Sequence, residues 1–333
     1  MAFEIAFFVI YSGTFAVFVF FVLSGFVIAR SSQRTRQSLF LLSVRRFLRL
    51  FLPSLASVIF AYLLINFVGL PDLGISAHWW VKQYYQPPVP GPLGALTDSI
   101  VAFARGSSYF NGVLWTMRTE LAGSIMIYFL YRLTPAEWRR LCLAGCAFVL
   151  CSVALLFGVR PTFLLSLMAF ALGALVFEWR LPLTGIALSK SWILIGVGLF
   201  LGGYSYGPQG PIYAVFDLFG SASFAFVRVV GAACLIAGML SNLTVQRLFQ
   251  EAVFQFLGRI SFALYLLHLP LLLTAMLLVA LLPTYQAIPA WIIAIPYTML
   301  VLLLGYGFTR LIDEPLVRWL SSLRFSGSSQ STP

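Results

Sequence analysis

The sequence predicts an all-α, membrane-embedded helix bundle with about nine transmembrane helices. Of its 333 residues, 61% are hydrophobic and only 9% are charged, whereas about a quarter of the residues of soluble domains are charged. The mean hydropathy is +0.96. The apolar residues also form runs close to the roughly 20 residues that a membrane-crossing helix needs. Because so few polar side chains cannot cover a soluble surface, the soluble classes are excluded.

The apolar runs and the basic residues between them predict the topology. The predicted spans are 3–29, 51–69, 110–131, 141–158, 162–177, 191–204, 219–240, 260–282 and 290–311. Sixteen of the 21 lysines and arginines lie in every second connection, in segments 30–50, 132–140, 178–190, 241–259 and 310–333. Segments rich in Lys and Arg stay in the cytoplasm. We therefore expect a cytoplasmic C-terminus, an external N-terminus and a large external loop at 70–109.

This topology also accounts for the net charge of +11, so we expect the lipid bilayer, and no nucleic acid, as a partner. We take residues 1–319 as one membrane-embedded domain and 320–333 as a short polar cytoplasmic tail. The four cysteines lie in apolar runs with no zinc-site spacing. With only two histidines in the chain, we expect no metal site and no permanently bound cofactor.

The basic segment after the first span could serve two purposes. It holds six arginines and no acidic residue: Arg30, Arg34, Arg36, Arg45, Arg46 and Arg49. They could act only as topology signals. They could also bind phosphate, because the planar guanidinium group matches a phosphate bidentately. In a helix, Arg45 and Arg49 would share one face.

Ionisable residues inside apolar spans indicate a second candidate site. Arg118, Glu120, Arg228 and His268 each lie within a predicted span, where charge is costly and commonly functional. Counting 1.5 Å per residue, each lies about 12–15 Å from one end of its span. We therefore predict one polar pocket near the bilayer midplane, with Glu120 and His268 as its ionisable core and Arg118 or Arg228 balancing the carboxylate. The alternative is that these side chains only bind helices together.

Three stretches combine into a recognisable set of motifs: FFVLSGF (20–26) followed by the RR-x-x-R segment and Pro53, LWTMRTELAGSIMIYFL (114–130), and GRISFALYLLHLPLL (258–272). They resemble the acyltransferase 3 family of integral-membrane O-acyltransferases. The resemblance implies Glu120, His268 and Arg118 as catalytic residues. We further expect a substrate or donor role for Ser24, Arg30, Arg45, Arg46, Arg49, Trp115 and Arg228.

One feature of the family is missing. Its first helix carries an Arg-x10-His pair, and on our alignment Met1 and Ser12 occupy those two positions. The family core has ten helices, so nine spans fit a core without most of its first helix. The chain is then either active without that histidine, or an inactive or truncated relative.

The resemblance implies transfer of an acyl group, often acetyl, from a cytoplasmic acyl-CoA donor to a hydroxyl of a saccharide, lipid-linked glycan or other envelope molecule. It further implies a multi-pass protein of the bacterial inner membrane. A transporter or flippase-like carrier of acyl groups or lipids is the alternative, since transporters also place polar pockets at the midplane.

Reporter fusions test the topology. We expect a reporter fused after Pro333 to be cytoplasmic and one inserted near Pro90 to be external, because the Arg-rich segments set the orientation. Protease protection in sealed membrane vesicles measures both. Two reporters on the same side would contradict the nine-span topology.

Overall fold

The chain folds as α-helices throughout its described parts. The computed structural model describes residues 12–35, 37–69, 87–179, 188–204, 213, 215–216, 220, 222–280 and 289–322. The α-helices in these ranges are α1 Gly13–Arg34, α2 Leu39–Val68, α3 Pro92–Arg105, α4 Trp115–Leu133, α5 Arg139–Phe157, α6 Pro161–Glu178, α7 Leu188–Gly202, α8 Ser223–Ser241, α9 Leu243–Phe249, α10 Ala252–Ala280, α11 Ala290–Phe308 and α12 Glu314–Ser322. A 3₁₀ turn at Gly112–Leu114 precedes α4, and a π-helical turn at Thr309–Asp313 joins α11 to α12.

Seven helical stretches within the described ranges are long and apolar enough to cross a membrane. Two more helices lie in predicted spans: α7, with 15 residues, and α4, whose 19 residues include Arg118, Glu120 and Arg132. Each of the nine predicted spans thus contains a helix. The predicted class, an all-α multi-pass membrane bundle, is confirmed.

The basic segment is helical for most of its length, which corrects the predicted loop at 30–50. Helix α1 continues to Arg34, and α2 already begins at Leu39. Arg45, Arg46 and Arg49 therefore lie on the first turns of a 30-residue helix. The physical reason is that apolar residues surround these arginines, so the helix has nothing to stop it there. The predicted first span, 3–29, ends too early, because α1 continues to Arg34. The part of that prediction before Ser12 lies outside the described residues.

The predicted external loop at 70–109 contains a helix that sequence analysis missed. Helix α3 begins at Pro92, and Gly106 ends it in a left-handed conformation with φ of 73°. Both residues suit those places, since proline fits a first turn and glycine tolerates positive φ. The Phe103 ring packs on Phe47 and Phe51 at centroid distances of 5.5 and 5.8 Å. This helix therefore lies alongside the N-terminal half of α2.

Helical structure continues beyond residue 311, the predicted end of the last span. Pro315 is the second residue of α12, where a missing backbone N–H costs nothing. The preceding turn widens to π-helical hydrogen bonding at Thr309–Asp313, and helical structure continues to Ser322.

The chain divides into two compact units. Unit 1 comprises Met1–Ser43 and Thr119–Glu251, and unit 2 comprises Val44–Arg118 and Ala252–Pro333. In unit 1, α1 and α6 approach closely because each has a glycine at the contact. A side chain at Gly25 would collide with the carbonyl of Phe170, and one at Gly173 with the carbonyl of Val22. Small residues allow this approach where hydrophobic burial cannot drive helices together.

Unit 2 is built on the packing of α10 against α11. Leu267, Leu271 and Val301 form its buried apolar cluster, and Phe60 and Leu64 of α2 pack against them. The Phe110 ring, just before α4, contacts the edge of Tyr62 with centroids 5.7 Å apart. The segment between α3 and α4 is thereby held against α2.

Candidate active site

Glu120 lies in the core of unit 1, where α4 meets α1. Its side chain is fully buried, and its Oε1 accepts a hydrogen bond of 2.9 Å from the Ser24 hydroxyl. Ser24 belongs to the FFVLSGF stretch and precedes Gly25, so the close approach at Gly25 lies next to this bond. Two of the family-like motifs, 96 residues apart, thus meet at a buried carboxylate.

Arg228 is the largest fully buried side chain described. Its Nε donates a 2.7 Å hydrogen bond to the carbonyl of Tyr204, and its guanidinium group lies 3.9 Å from the centre of the Phe224 ring. The Tyr204 hydroxyl in turn donates to Ser223 at 3.1 Å. The arginine therefore joins the start of α8 to the segment after α7. Helix α8 also packs against α1 and α6.

Unit 2 joins the third family-like motif, 258–272, to the first residues of the second, 114–130. The Tyr265 hydroxyl donates to the Val113 carbonyl at 2.6 Å and lies 2.7 Å from the Thr116 hydroxyl. The Thr116 hydroxyl also reaches Val113, at 3.2 Å. These three oxygens form one hydrogen-bonded group that fixes the start of α4 on α10. Helix α4 thus contributes Thr116 to unit 2 and Glu120 to unit 1.

His268 is half-buried one turn further along α10. Its Nδ1 lies 3.0 Å from the carbonyl oxygen of Leu264 and 2.8 Å from that of Tyr265. Since carbonyl oxygens only accept hydrogen bonds, Nδ1 carries the proton. In the neutral ring Nε2 is then the basic nitrogen. The backbone therefore selects the tautomer and orients the imidazole.

Asn111 is a residue of this cluster that sequence analysis missed. It is fully buried, and its Nδ2 donates to the Leu266 carbonyl at 2.8 Å and to the Ser57 hydroxyl at 3.0 Å. A single asparagine such as Asn111, just before the motif that begins at Leu114, does not by itself indicate a buried hydrogen-bonding role. The proline at 270 was a usable signal, because it predicts an unpaired carbonyl four residues earlier.

Arg118 and Trp115 lie at the junction of α3 and α4. The Arg118 Nη1 donates to the carbonyl of Arg105 at 3.5 Å, at the C-terminal end of α3, where a cation is favourable. The Trp115 carbonyl and the Arg118 side chain both border Gly106. This contact gives Arg118 a structural function beside its predicted catalytic one.

The predicted donor-binding arginines divide between the two units. Arg30 is exposed on α1 in unit 1. In unit 2, Arg49 is exposed, and Arg45 and Arg46 are half-buried. Positions 45 and 49 share a face of α2, as predicted, and Phe47 and Phe51 lie on the opposite face, about 200° away. Because the phenylalanines pack on α3, the face of Arg45 and Arg49 points away from it.

Glu120 and His268 belong to different units, so their common pocket stays a prediction, as do the assigned roles of all these residues. Among the described residues, no three His, Cys, Asp or Glu side chains group so as to hold a metal ion.

A family model described as an acyltransferase domain matches residues 2–310. The chain belongs to the acyltransferase 3 family. A similar curated protein is the O-acetyltransferase PaAT-1 of Phomopsis amygdali, which is 28% identical over 322 aligned residues. The alignment covers 79% of this chain and 63% of that relative, so the chain spans less than two thirds of its length. No solved structure matches. With its apolar helices, family membership makes this an integral multi-pass membrane protein.

The bond between Ser24 and Glu120 can be tested by its effect on stability. We expect Ser24→Ala to lower the stability of the folded protein by about 1–3 kcal/mol, because it removes a hydrogen-bond donor from a buried carboxyl group. Ser166→Ala is the matched control, since this buried serine donates only within its own helix, to Thr162 at 2.7 Å. Thermal unfolding in detergent measures both. Equal losses would show that the bond adds nothing specific.

Proposed function

We propose that this protein transfers an acyl group, such as acetyl, from a cytoplasmic acyl-CoA donor to a hydroxyl of a saccharide, lipid-linked glycan or similar envelope molecule. The observation that carries the proposal is the orientation of His268. Two backbone carbonyls hold its Nδ1–H, which leaves Nε2 as a base on a membrane helix. Family membership and the similarity to an O-acetyltransferase support the reaction class.

In the proposed reaction, His268 acts as the general base. Nε2 takes the proton of the acceptor hydroxyl while that oxygen attacks the thioester carbonyl carbon. A C–O bond forms, and the C–S bond to CoA breaks. The imidazolium then returns its proton to the leaving thiolate, so the histidine ends as it began. General acid–base catalysis of this kind contributes about 10²- to 10⁴-fold.

The proposed role of Glu120 follows from its burial and its bond to Ser24. In its ionised form this carboxylate would orient the acceptor hydroxyl or stabilise the imidazolium that forms on His268. The bond from Ser24 holds one carboxylate oxygen in place. Arg118 or Arg228 would balance the charge, with Trp115 beside Arg118 at the start of α4.

Ser12, at the position of the family's first-helix histidine, cannot act as this base near neutral pH, because it lacks an imidazole. It instead caps α1, accepting from the backbone N–H of Phe15 at 3.4 Å.

Arg45, Arg46 and Arg49 would bind the phosphate groups of the donor, and Arg30 would be a further donor-binding residue. Their helical placement supports this proposal, since a helix presents Arg45 and Arg49 on one side. The expected location is a bacterial inner membrane, with these arginines towards the cytoplasm.

Replacement of His268 tests the proposed base. We expect His268→Gln to fold normally and to lose transfer by about 10²-fold or more, because glutamine makes hydrogen bonds but cannot take the proton. Incorporation of radiolabel from acetyl-CoA into the saccharide fraction of the host envelope measures transfer. His78→Gln, the same change at the other histidine, is the control and should leave transfer unchanged. Equal transfer by both variants would rule out His268 as the base.

Replacement of two arginines by lysine tests the donor site. We expect Arg45→Lys/Arg49→Lys to keep its topology, because the charge remains, and to raise the KM for acetyl-CoA about tenfold, because the planar fork is lost. Arg247→Lys/Arg318→Lys is a matched double change at predicted cytoplasmic positions outside the motif. An unchanged KM in a correctly inserted Arg45→Lys/Arg49→Lys variant would leave these arginines a role in topology alone.

A further inference from the structure

We propose that Asn111 is a positioning residue for acyl transfer. Its side chain replaces a backbone hydrogen bond that is missing from α10, and it thereby holds His268 in the orientation that the reaction needs. The inference rests on the proposed function of His268 as the base. It adds a residue outside the family-like motifs, on a segment that precedes α4.

The missing bond comes from Pro270. This residue lies inside α10, has no backbone N–H, and its ring crowds the carbonyl four residues earlier. That carbonyl belongs to Leu266. In an apolar environment an unpaired carbonyl is costly. The Nδ2 of Asn111 meets it at 2.8 Å, across 155 residues of sequence.

The bonds of His268 lie in the same turn of α10. Its Nδ1 donates to the carbonyls of Leu264 and Tyr265, which immediately precede Leu266. Its own carbonyl accepts a 2.8 Å hydrogen bond from the Tyr297 hydroxyl. The ring is therefore oriented by the backbone of a turn that Pro270 deprives of one hydrogen bond. A displaced Leu266 carbonyl would move the two neighbouring carbonyls and, with them, Nε2.

Asn111 is held rigidly enough to serve as this support. The second hydrogen of Nδ2 goes to the Ser57 hydroxyl at 3.0 Å, and the Ser108 hydroxyl accepts from the Asn111 backbone N–H at 3.0 Å. Asp98 of α3 fixes the segment, because it accepts from the Ser108 hydroxyl at 2.6 Å and from the Tyr109 N–H at 2.8 Å. A side chain locked by surrounding bonds can position a catalytic group more accurately than a mobile one.

The amide is the group that matters in this arrangement. Both Nδ2 hydrogens donate, to two fixed acceptors. An aspartate of nearly the same size would offer only acceptors to the Leu266 carbonyl. We therefore expect Asn111→Asp to be at least as harmful as Asn111→Ala.

A double-mutant cycle with His268 tests whether Asn111 acts through the histidine. We expect Asn111→Ala to lower the kcat of the purified, folded protein about tenfold or more, the range that one lost buried hydrogen bond can produce. The KM for acetyl-CoA should stay within about twofold. In a His268→Ala background, the same change should have almost no further effect on the residual rate, because the group that it positions is gone. Equal factors in both backgrounds would overturn the inference.

A second cycle, with Pro270, tests the mechanism and covers the case in which Asn111→Ala does not fold. Pro270→Ala restores a backbone N–H for the Leu266 carbonyl. In that background Asn111→Ala should fold and should change both thermal stability and kcat much less than in the natural sequence. Asn66→Ala is the control, since Asn66 also donates to a carbonyl, that of Tyr62 at 2.7 Å, but at an exposed position. If Asn111→Ala loses the same stability with and without Pro270, Asn111 does not replace the hydrogen bond that Pro270 removes from the Leu266 carbonyl, and the inference is overturned.

The failures of the two proposals give different results. If His268→Ala keeps full transfer, the proposed base is wrong. If His268→Ala abolishes most transfer while folded Asn111→Ala keeps the natural kcat, the base stands and the positioning role of Asn111 is wrong.

Discussion

The organisation of this protein depends on one constraint: a polar group among apolar helices must find its hydrogen-bond partner within the chain. Glu120 finds the hydroxyl of Ser24. The carbonyl that Pro270 leaves unpaired is bonded by Asn111. Arg228, the largest fully buried side chain described, lies on the carbonyl of Tyr204 and the face of Phe224. Each bond joins segments that are distant in sequence, so the polar residues specify which segments meet.

The glycines make these polar contacts geometrically possible. Helices α1 and α6 come together through Gly25 and Gly173, where any side chain would strike the opposite backbone. Gly123 of α4 similarly leaves room for the ring of Phe170. Ser24 directly precedes Gly25. The close packing of α1 on α6 at Gly25 therefore also fixes the position of the Ser24 hydroxyl, which donates to Glu120. Packing and polar pairing thus depend on each other in unit 1.

In unit 2 the polar groups serve orientation more than charge. The bonded group of Val113, Thr116 and Tyr265 attaches the start of α4 to α10. The backbone one turn later selects the tautomer of His268. A histidine that only linked two helices by a hydrogen bond could make that bond through either ring nitrogen. One whose Nδ1 is bound by its own helix keeps a defined Nε2, which is the arrangement that a general base requires.

The sequence by itself determined the class of protein, because hydropathy, helix length and the positions of ionisable residues are local properties. It placed Glu120, Arg228 and His268 on apolar helices, and the structure agrees. It missed α3, although Pro92 and Gly106 marked both ends, because the segment was taken as part of a loop. Only the tertiary structure decided that Ser24 meets Glu120, that Thr116 meets Tyr265, and that Asn111 bonds Leu266. The physical reason is that such pairs depend on which helices are neighbours and in what register, and no short stretch of sequence carries that information.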